Sequence, residues 1–238
     1  MKKVLLVVLI LVLLASAPCS SLALGKEDAL DGVLEMTETA WTCMPSPFYL
    51  QYYGLAKVTN TSDIALHLHG IGEFTLKDAD GNTVITEGYP WVLKQHLEPG
   101  ESTYARFSAS CFDISAPQTG LTCSMEVWPV AATSHYMNYT FLPCAVSYDT
   151  ETGDFLMEVT NDTAQSLPVH SYFVLRDTAG NLLHILEGKS EETDPLTPGA
   201  SRTFTAYQTM ETPDFLASHN VDTVNIEGFA CFADWADK

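Results

Sequence analysis

The chain has 238 residues and a formal net charge of −19 at pH 7, from 11 lysine and arginine residues against 30 aspartate and glutamate residues. A charge of this sign and size repels nucleic-acid phosphates and anionic membrane surfaces, so neither is an expected partner. The length suits one large domain or two domains of ordinary size.

The N-terminus predicts export from the cytoplasm. Lys2 and Lys3 precede an uninterrupted apolar run over residues 4–15, which is short for a membrane span but fits the core of a signal peptide. Small side chains place the cleavage after Ala23, so residues 1–23 are the predicted signal peptide. The mature protein is then expected to be secreted or to lie at the extracytoplasmic cell surface, with no membrane insertion after cleavage.

The sequence leaves open how the mature chain is retained. Cys19 follows the apolar run as a lipidated cysteine does, but Pro18 stands where lipoprotein signals carry a small residue. Residues 24–40 mix acidic and apolar side chains and have no counterpart later in the chain. This segment is predicted to be an acidic tether or one short helix.

An internal repeat organises the remaining chain. The sequence FTLKDADGN at 74–82 returns almost unchanged as FVLRDTAGN at 173–181. In each copy two apolar residues alternate along a strand, and a glycine follows where a tight turn needs a positive φ. Four further landmarks recur in the same order: Cys43 and Cys144, the Val-Thr-Asn triplets at 58–60 and 159–161, the Pro-Gly pairs at 99–100 and 198–199, and Glu126 and Glu227.

The repeat predicts two tandem domains, at 41–132 and 142–238, joined by a linker at 133–141. Each domain contains short runs of strand-forming residues, interrupted about every ten residues by Gly, Pro, Asn or Asp, and lacks a helical period. The fold class is therefore expected to be all-β, with two β-sandwiches. The aromatic run at 136–141 is expected to pack between them, an exposed contact surface being the alternative.

The Val-Thr-Asn triplet, the Phe-x-Leu-x-Asp strand, the Gly-Asn turn and the Pro-Gly pair together resemble bacterial extracytoplasmic immunoglobulin-like modules of the FxLYD type. More distantly, they resemble the module of bacterial intracellular proteinase inhibitors. The resemblance covers residues 54–107 and 155–206, with Lys77 and Arg176 at the aromatic position of the first motif. It implies two tandem immunoglobulin-like sandwiches. Function has to be argued separately, because one fold serves many functions.

Cysteine usage agrees with export. Five cysteines follow the predicted cleavage site, an odd number that leaves at least one thiol unpaired or intermolecular. Cys111 and Cys123 flank a loop of the first domain, and Cys144 and Cys231 stand at the ends of the second, so these four are the disulfide candidates. Cys43 is then the free-thiol candidate, expected to be buried or to form a disulfide-linked dimer. The sequence alone does not choose the pairing.

Few residues of the sequence indicate catalytic chemistry. His67 and His69 alternate along a strand close to Glu73, as the first ligands of a metal site would. Zinc sites usually need three or four ligands, however, and histidines on the solvent face of a strand explain the pair as well. No nucleophile elbow, phosphate loop or paired-cysteine metal motif is present. We therefore predict no catalytic, cofactor-binding or metal-binding residues, no cofactor and no enzyme.

Turn chemistry accounts for other polar residues. Asp78 and Asp80 could be read as calcium ligands, but aspartate beside glycine is typical of turns, and the spacing of a calcium loop is missing. Asn60, Asn138 and Asn161 match the acceptor pattern for N-glycosylation, which matters only in a eukaryotic secretory path. Two of them belong to the repeated Val-Thr-Asn triplet and are better explained as turn residues.

Together these patterns predict a non-enzymatic immunoglobulin-like protein of the cell envelope or the medium. It is expected to present loops or strand edges to a protein or glycan partner. The alternative is an extracellular protease inhibitor of similar fold that uses one exposed loop, and a metal-dependent enzyme comes third.

Overall fold

A computed structural model describes residues 29–132, 135–209 and 212–237 of the chain. Within these ranges the protein is mostly β, with fifteen strands and one short helix, so the all-β expectation is confirmed. The predicted signal peptide and the lipidation alternative at Cys19 lie outside the described residues. Among the described residues, none belongs to a helix with the length and apolarity needed to cross a membrane.

The strands before residue 133, called the N-terminal half below, build two antiparallel sheets. The first has the order β1-β2-β7-β5. In the second, β3 pairs with β8 and also with β4 and β6. The bounds are β1 (Leu34–Pro45), β2 (Leu50–Asn60), β3 (Leu66–Lys77), β4 (Thr83–Glu87), β5 (Trp91–Val92), β6 (His96–Leu97), β7 (Ser102–Cys111) and β8 (Thr122–Ala131).

Apolar side chains of the two sheets meet between them. Alternate residues of β2 and β7 point inward, as the two-residue period of a strand requires, and they pack against the inward face of β3 and β8. Phe74 of β3 and Phe107 of β7 are fully buried, and their rings stack with centroids 5.7 Å apart. This is the first hydrophobic core.

The strands after residue 134, the C-terminal half, form one antiparallel sheet in the order β10-β11-β14-β13-β12-β15-β9. The bounds are β9 (His135–Leu142), β10 (Cys144–Asp149), β11 (Asp154–Thr160), β12 (His170–Arg176), β13 (Leu182–Lys189), β14 (Ser201–Ala206) and β15 (Glu227–Asp237), with the helix α1 (Thr212–Ser218) before β15.

This single sheet folds over on itself. β13 and β14 share only two residue pairs, so the sheet can bend sharply there. Gly228 of β15 lies close to Val146 of β10 and Met157 of β11, and a Cβ atom at Gly228 would lie 2.2 Å from a methyl carbon of Val146. Glycine is therefore required at this close approach. The two ends of the sheet enclose the second core, which contains Phe155 and Phe173.

Two segments that the sequence assigned to connections are strands. The predicted tether or helix at 24–40 gives way to β1 from Leu34 onward, because its acidic and apolar residues alternate with the period of a strand. Leu34 and Met36 pack on the first core. The predicted linker at 133–141 is largely β9, which pairs with β15 along its whole length. The helix α1 was not predicted, since seven residues are too few to show a helical period.

The two halves are in direct contact. A third apolar cluster takes Leu55, Leu93 and Tyr104 from the N-terminal half and Val174, Leu182 and Ile185 from the C-terminal half. Polar bonds surround this cluster. The Tyr104 hydroxyl donates to Glu227 at 2.7 Å, and the Arg106 guanidinium donates to the carbonyl oxygen of Ile185 at 2.6 Å. A further apolar cluster joins Met44 of β1 to Phe215 of α1, and it places α1 beside the end of β1.

Candidate functional site

One end of the N-terminal half carries a cluster of exposed apolar side chains. Phe48 and Tyr49 occupy the turn between β1 and β2, while Phe112 and Ile114 begin the loop between β7 and β8. We call these four residues the aromatic tip. Phe48 is 79% exposed, Phe112 80% and Ile114 56%, while Tyr49 is half-buried. The rings of Tyr49 and Phe112 lie 6.3 Å apart, so the two loops form one surface.

Strand pairing brings these two loops together. Leu50 at the start of β2 pairs with Cys111 at the end of β7, so the residues just outside this pair become neighbours. The first loop closes through a hydrogen bond from the Ser46 N–H to the carbonyl oxygen of Tyr49, at 2.9 Å. Pro47 removes a rotatable backbone angle from the same turn.

The second loop is also held firmly. Asp113 accepts hydrogen bonds from the backbone N–H and the hydroxyl of Ser115, at 3.0 and 2.6 Å, and these bonds lower the pKa of the Asp113 carboxyl. The hydroxyl of the buried Tyr52 donates to the carbonyl oxygen of Pro117 at 2.7 Å. The tip therefore presents its aromatic side chains from an ordered backbone.

A cavity of about 530 Å³ lies beside the aromatic tip, between the two halves. The N-terminal half contributes Cys43, Pro45 and Pro47, together with Gln118 and Thr119 of the second loop. The volume lies within the range of small-ligand sites in proteins.

Helix α1 supplies the opposite wall of the cavity, through Asp214, Phe215, Ser218 and His219 just after it. Phe215 is buried, and its ring stacks on that of His219 with centroids 4.1 Å apart. Asp214 is exposed at the rim. Among the described residues that line the cavity there is no lysine or arginine, and the fixed charge that they carry is the negative charge of Asp214.

Burial favours the protonated form of the thiol in the cavity wall. Burial, with a smaller contribution from the neighbouring Cys111 thiol, raises the pKa of Cys43 to about 11. A cysteine nucleophile acts as the thiolate, and Cys43 is protonated at neutral pH. At neutral pH the Cys43 thiol therefore adds an uncharged, apolar surface to the cavity wall.

The predicted disulfides are absent. All five cysteines in the described ranges are free thiols. Cys123 of β8 lines a small cavity with Trp41 of β1. Cys111 lies on β7, and β7 and β8 belong to different sheets of the N-terminal half. Cys43 is half-buried, and because the other four cysteines of the described ranges are free as well, the structure does not single it out.

Strand geometry explains why Cys144 and Cys231 do not pair. Cys144 packs on the second core and its thiol donates to the carbonyl oxygen of Gly228 at 3.4 Å. Ala230 and Phe232 are the residues of β15 that pack on this core. Neighbouring residues of a strand point to opposite faces, so Cys231 points away from it. Burial there raises the pKa of Cys231 to about 12.

The histidine pair lies on β3 as predicted, with the rings of His67 and His69 4.3 Å apart. His96 of β6 pairs with His67. Burial, followed by the proximity of His69 and His96, lowers the pKa of His67 to about 4, so its ring is neutral at pH 7. Within the described ranges, no group of three or more His, Cys, Asp or Glu side chains could hold a metal ion.

Two of the three glycosylation-like asparagines are structural. Asn60 and Asn161 are fully buried. The amide of Asn60 donates to the carbonyl oxygens of Ile64 and Leu97, at 2.8 and 3.1 Å, and its own oxygen accepts from the Ser62 hydroxyl at 2.7 Å. Asn161 makes the same set of bonds. The hydroxyl residue that completes the acceptor pattern is therefore the partner of the asparagine side chain. The side chain of Asn138 lies outside the description.

Sequence reasoning missed the aromatic tip and its cavity. The usable signal was Phe48 placed after two prolines, at Pro45 and Pro47, since a large aromatic side chain in a proline-rich turn has little chance of burial. Comparison with protein-family models, curated proteins and solved structures gives no match for the chain. The site has to be interpreted from its own residues.

Proposed function

We propose that the protein is a non-enzymatic binding protein, secreted or held at the cell surface, that engages a protein partner through the aromatic tip. The observation that carries this proposal is the pair Phe48 and Phe112, each about four-fifths exposed on adjoining loops. The two halves would be tandem immunoglobulin-like modules, as the resemblance to the FxLYD type implies. The signal peptide would direct the chain out of the cytoplasm.

Energetics favour a binding role for the tip. Large apolar side chains in contact with water gain free energy when a partner covers them, at roughly 25 cal/mol per Å² of apolar area. Contiguous exposed apolar surface on a soluble protein usually marks an interaction site. Aromatic residues are also frequent among the anchors that dominate interface energies.

The mounting of the tip supports the same conclusion. Binding residues are often placed on loops held by a rigid scaffold. Tyr52 and Asp113 hold the second loop, and Pro47 stiffens the first, so little conformational entropy is lost when a partner docks.

The chemistry of the tip favours a protein over a glycan. A sugar presents many hydroxyl groups that need hydrogen-bond partners once they are buried. The exposed side chains of the tip are hydrocarbon, apart from the Tyr49 hydroxyl. A protein surface with apolar side chains matches them better.

Photo-crosslinking tests the proposal directly. We would replace Phe112 with the photoreactive p-benzoylphenylalanine and irradiate the protein with the native cell envelope. The expected result is one discrete protein adduct. Tyr89 is the matched control position, because it is an aromatic residue that is 76% exposed outside the tip. The same adduct from position 89, or no adduct from 112, would contradict the proposal.

The double variant Phe48→Ser with Phe112→Ser supplies the second arm. Both side chains are exposed, so the variant should fold and should lose the partner that co-purifies with the wild-type protein. A glycan-array signal that the double variant loses would replace the protein partner with a glycan. Stoichiometric inhibition within a panel of extracellular proteases would instead assign the inhibitor function.

A further inference from the structure

The cavity beside the aromatic tip indicates what the partner presents. We infer that it receives a lysine or arginine side chain of the partner protein, while the tip covers apolar residues next to that side chain. This inference rests on the proposed function and adds the chemistry of the docked segment.

The walls of the cavity suit the hydrocarbon part of such a side chain. Pro45, Pro47 and the ring of Phe215 are apolar, and the Cys43 thiol is protonated at neutral pH. Lysine and arginine carry three or four methylene groups that pack on apolar surface while the charged head stays at the edge. The volume of about 530 Å³ leaves room for the side chain and part of its backbone.

The rim of the cavity suits the charged head. Asp214 is exposed there, with Ser218 as a further hydrogen-bond acceptor, and the described lining residues include no lysine or arginine. An anionic group would meet the Asp214 carboxylate and the field of a chain with net charge −19. The same field increases the encounter rate of a basic partner.

The cavity and the tip are continuous. Pro47 of the cavity wall precedes Phe48 of the tip, and Thr119 belongs to the loop that begins with Phe112. A segment with a basic residue next to an aromatic residue could therefore fill the cavity and cover the tip at the same time. A free small cation would use the cavity alone.

Isothermal titration calorimetry with two short probes tests this inference. The first probe is the capped peptide acetyl-Gly-Phe-Arg-Gly-amide, and the second carries citrulline, which has nearly the shape of arginine without its charge. The wild-type protein should bind the arginine probe about fivefold more tightly, the upper range for an exposed ion pair. Added salt should reduce this preference.

The variant Asp214→Asn should abolish the preference for arginine over citrulline, and Asp63→Asn should keep it. Asp63 is the matched control, because it is an exposed aspartate in the loop after β2, outside the cavity. The variant Thr119→Trp, which fills the cavity without changing charge, should weaken the arginine probe by on the order of tenfold while thermal unfolding stays the same.

Three results would overturn the inference: no measurable binding of either probe, equal binding of both probes to the wild-type protein, or a preference that Asp214→Asn retains. Failure here is separable from failure of the proposed function. If adducts still form at position 112 while Asp214→Asn has no effect, the tip binds a partner and the cavity does not take its basic residue. The Phe112→Ser variant should weaken the peptide but not free agmatine, which distinguishes a side chain from a small cation.

Discussion

Replacing Arg176 with methionine removes the guanidinium that joins β12 to the N-terminal half and keeps most of the aliphatic volume of the side chain. Arg176 lies 2.5 Å from a carboxylate oxygen of Glu38 on β1 and 3.1 Å from one of Glu227 on β15. It also donates to the Tyr104 hydroxyl at 3.1 Å. One cation therefore connects β12 to β1 and β7 of the N-terminal half, and to β15 of its own half.

The exposure of the partners sets the magnitude. Removing one member of a fully buried ion pair costs about 3–5 kcal/mol, because a charge stays buried without a partner. The side chain of Arg176 is 14% exposed, but those of Glu38 and Glu227 are 32% and 40% exposed, so water solvates both carboxylates in part. We expect Arg176→Met to lower the free energy of unfolding by about 2 kcal/mol and Glu38→Gln by about 1 kcal/mol.

A double-mutant cycle isolates the interaction. The coupling energy between Arg176→Met and Glu38→Gln should be about 1 kcal/mol, measured by urea unfolding with tryptophan fluorescence. The hydrogen bond from Arg176 is also the largest cause of the lowered pKa of Glu38, with burial opposing it. NMR titration of Glu38 in Arg176→Met should therefore show the pKa returning upward.

The matched control lies within the C-terminal half. Arg202 pairs with Glu192 at 3.1 Å, and the side chain of Glu192 is 75% exposed. The cycle of Arg202→Met with Glu192→Gln should give about 0.5 kcal/mol or less. Additive effects at Glu38 and Arg176, to within about 0.3 kcal/mol, would refute the claim that this pair joins the halves.

Three further predictions follow from single sites. Gly180→Val should lower the free energy of unfolding in urea by about 1–3 kcal/mol, because φ at this position is +88°; the cost comes from the backbone alone, since no atom lies within 4 Å of the new Cβ. A neutral result would mean that the turn relaxes. Burial lowers the pKa of His67 to about 4 and that of His184 to about 3, so on acidification the unfolded state takes up protons before the folded state does. The free energy of unfolding should therefore have its full value above pH 6.5 and should fall as the pH drops from 6.5 towards 4; a flat profile over that range would contradict this. Cys231 is 1% exposed and should resist thiol labelling until the protein unfolds, as peptide mapping of native and denatured samples would show.

Sequence reasoning succeeded where a local rule determines the structure. Gly81 and Gly180 both have the positive φ that the repeated turn requires, at 84° and 88°. In each copy the preceding aspartate, Asp78 or Asp177, accepts the backbone N–H of the residue four positions on at 2.8 Å. These bonds lie within a few residues of one another, so the sequence pattern is enough to predict them.

Equal spacing misled where strand register decides. Cys43 and Cys144 each precede a Val-Thr-Asn triplet by the same distance, yet Cys43 pairs with Tyr52 and Cys144 with Val159. The hairpin of the first copy turns at residues 46–49, and that of the second turns at 150–153. Register in a hairpin follows from the turn, and the two turns have unrelated sequences. The matched cysteines therefore occupy different places, and their pairing could not be predicted from the repeat.

The two copies also differ at the ends of these hairpins. In the C-terminal half, Pro213 and Leu216 of α1 share a cavity with Tyr148 and Gly153 of the β10–β11 hairpin. In the N-terminal half, Phe215 of α1 shares a cavity with Pro45 and Pro47 of the β1–β2 hairpin, yet Phe48 of that turn stays 79% exposed. The two hairpins therefore differ in the side chains that they expose, and an exposed phenylalanine at this position is what the proposed binding role would use.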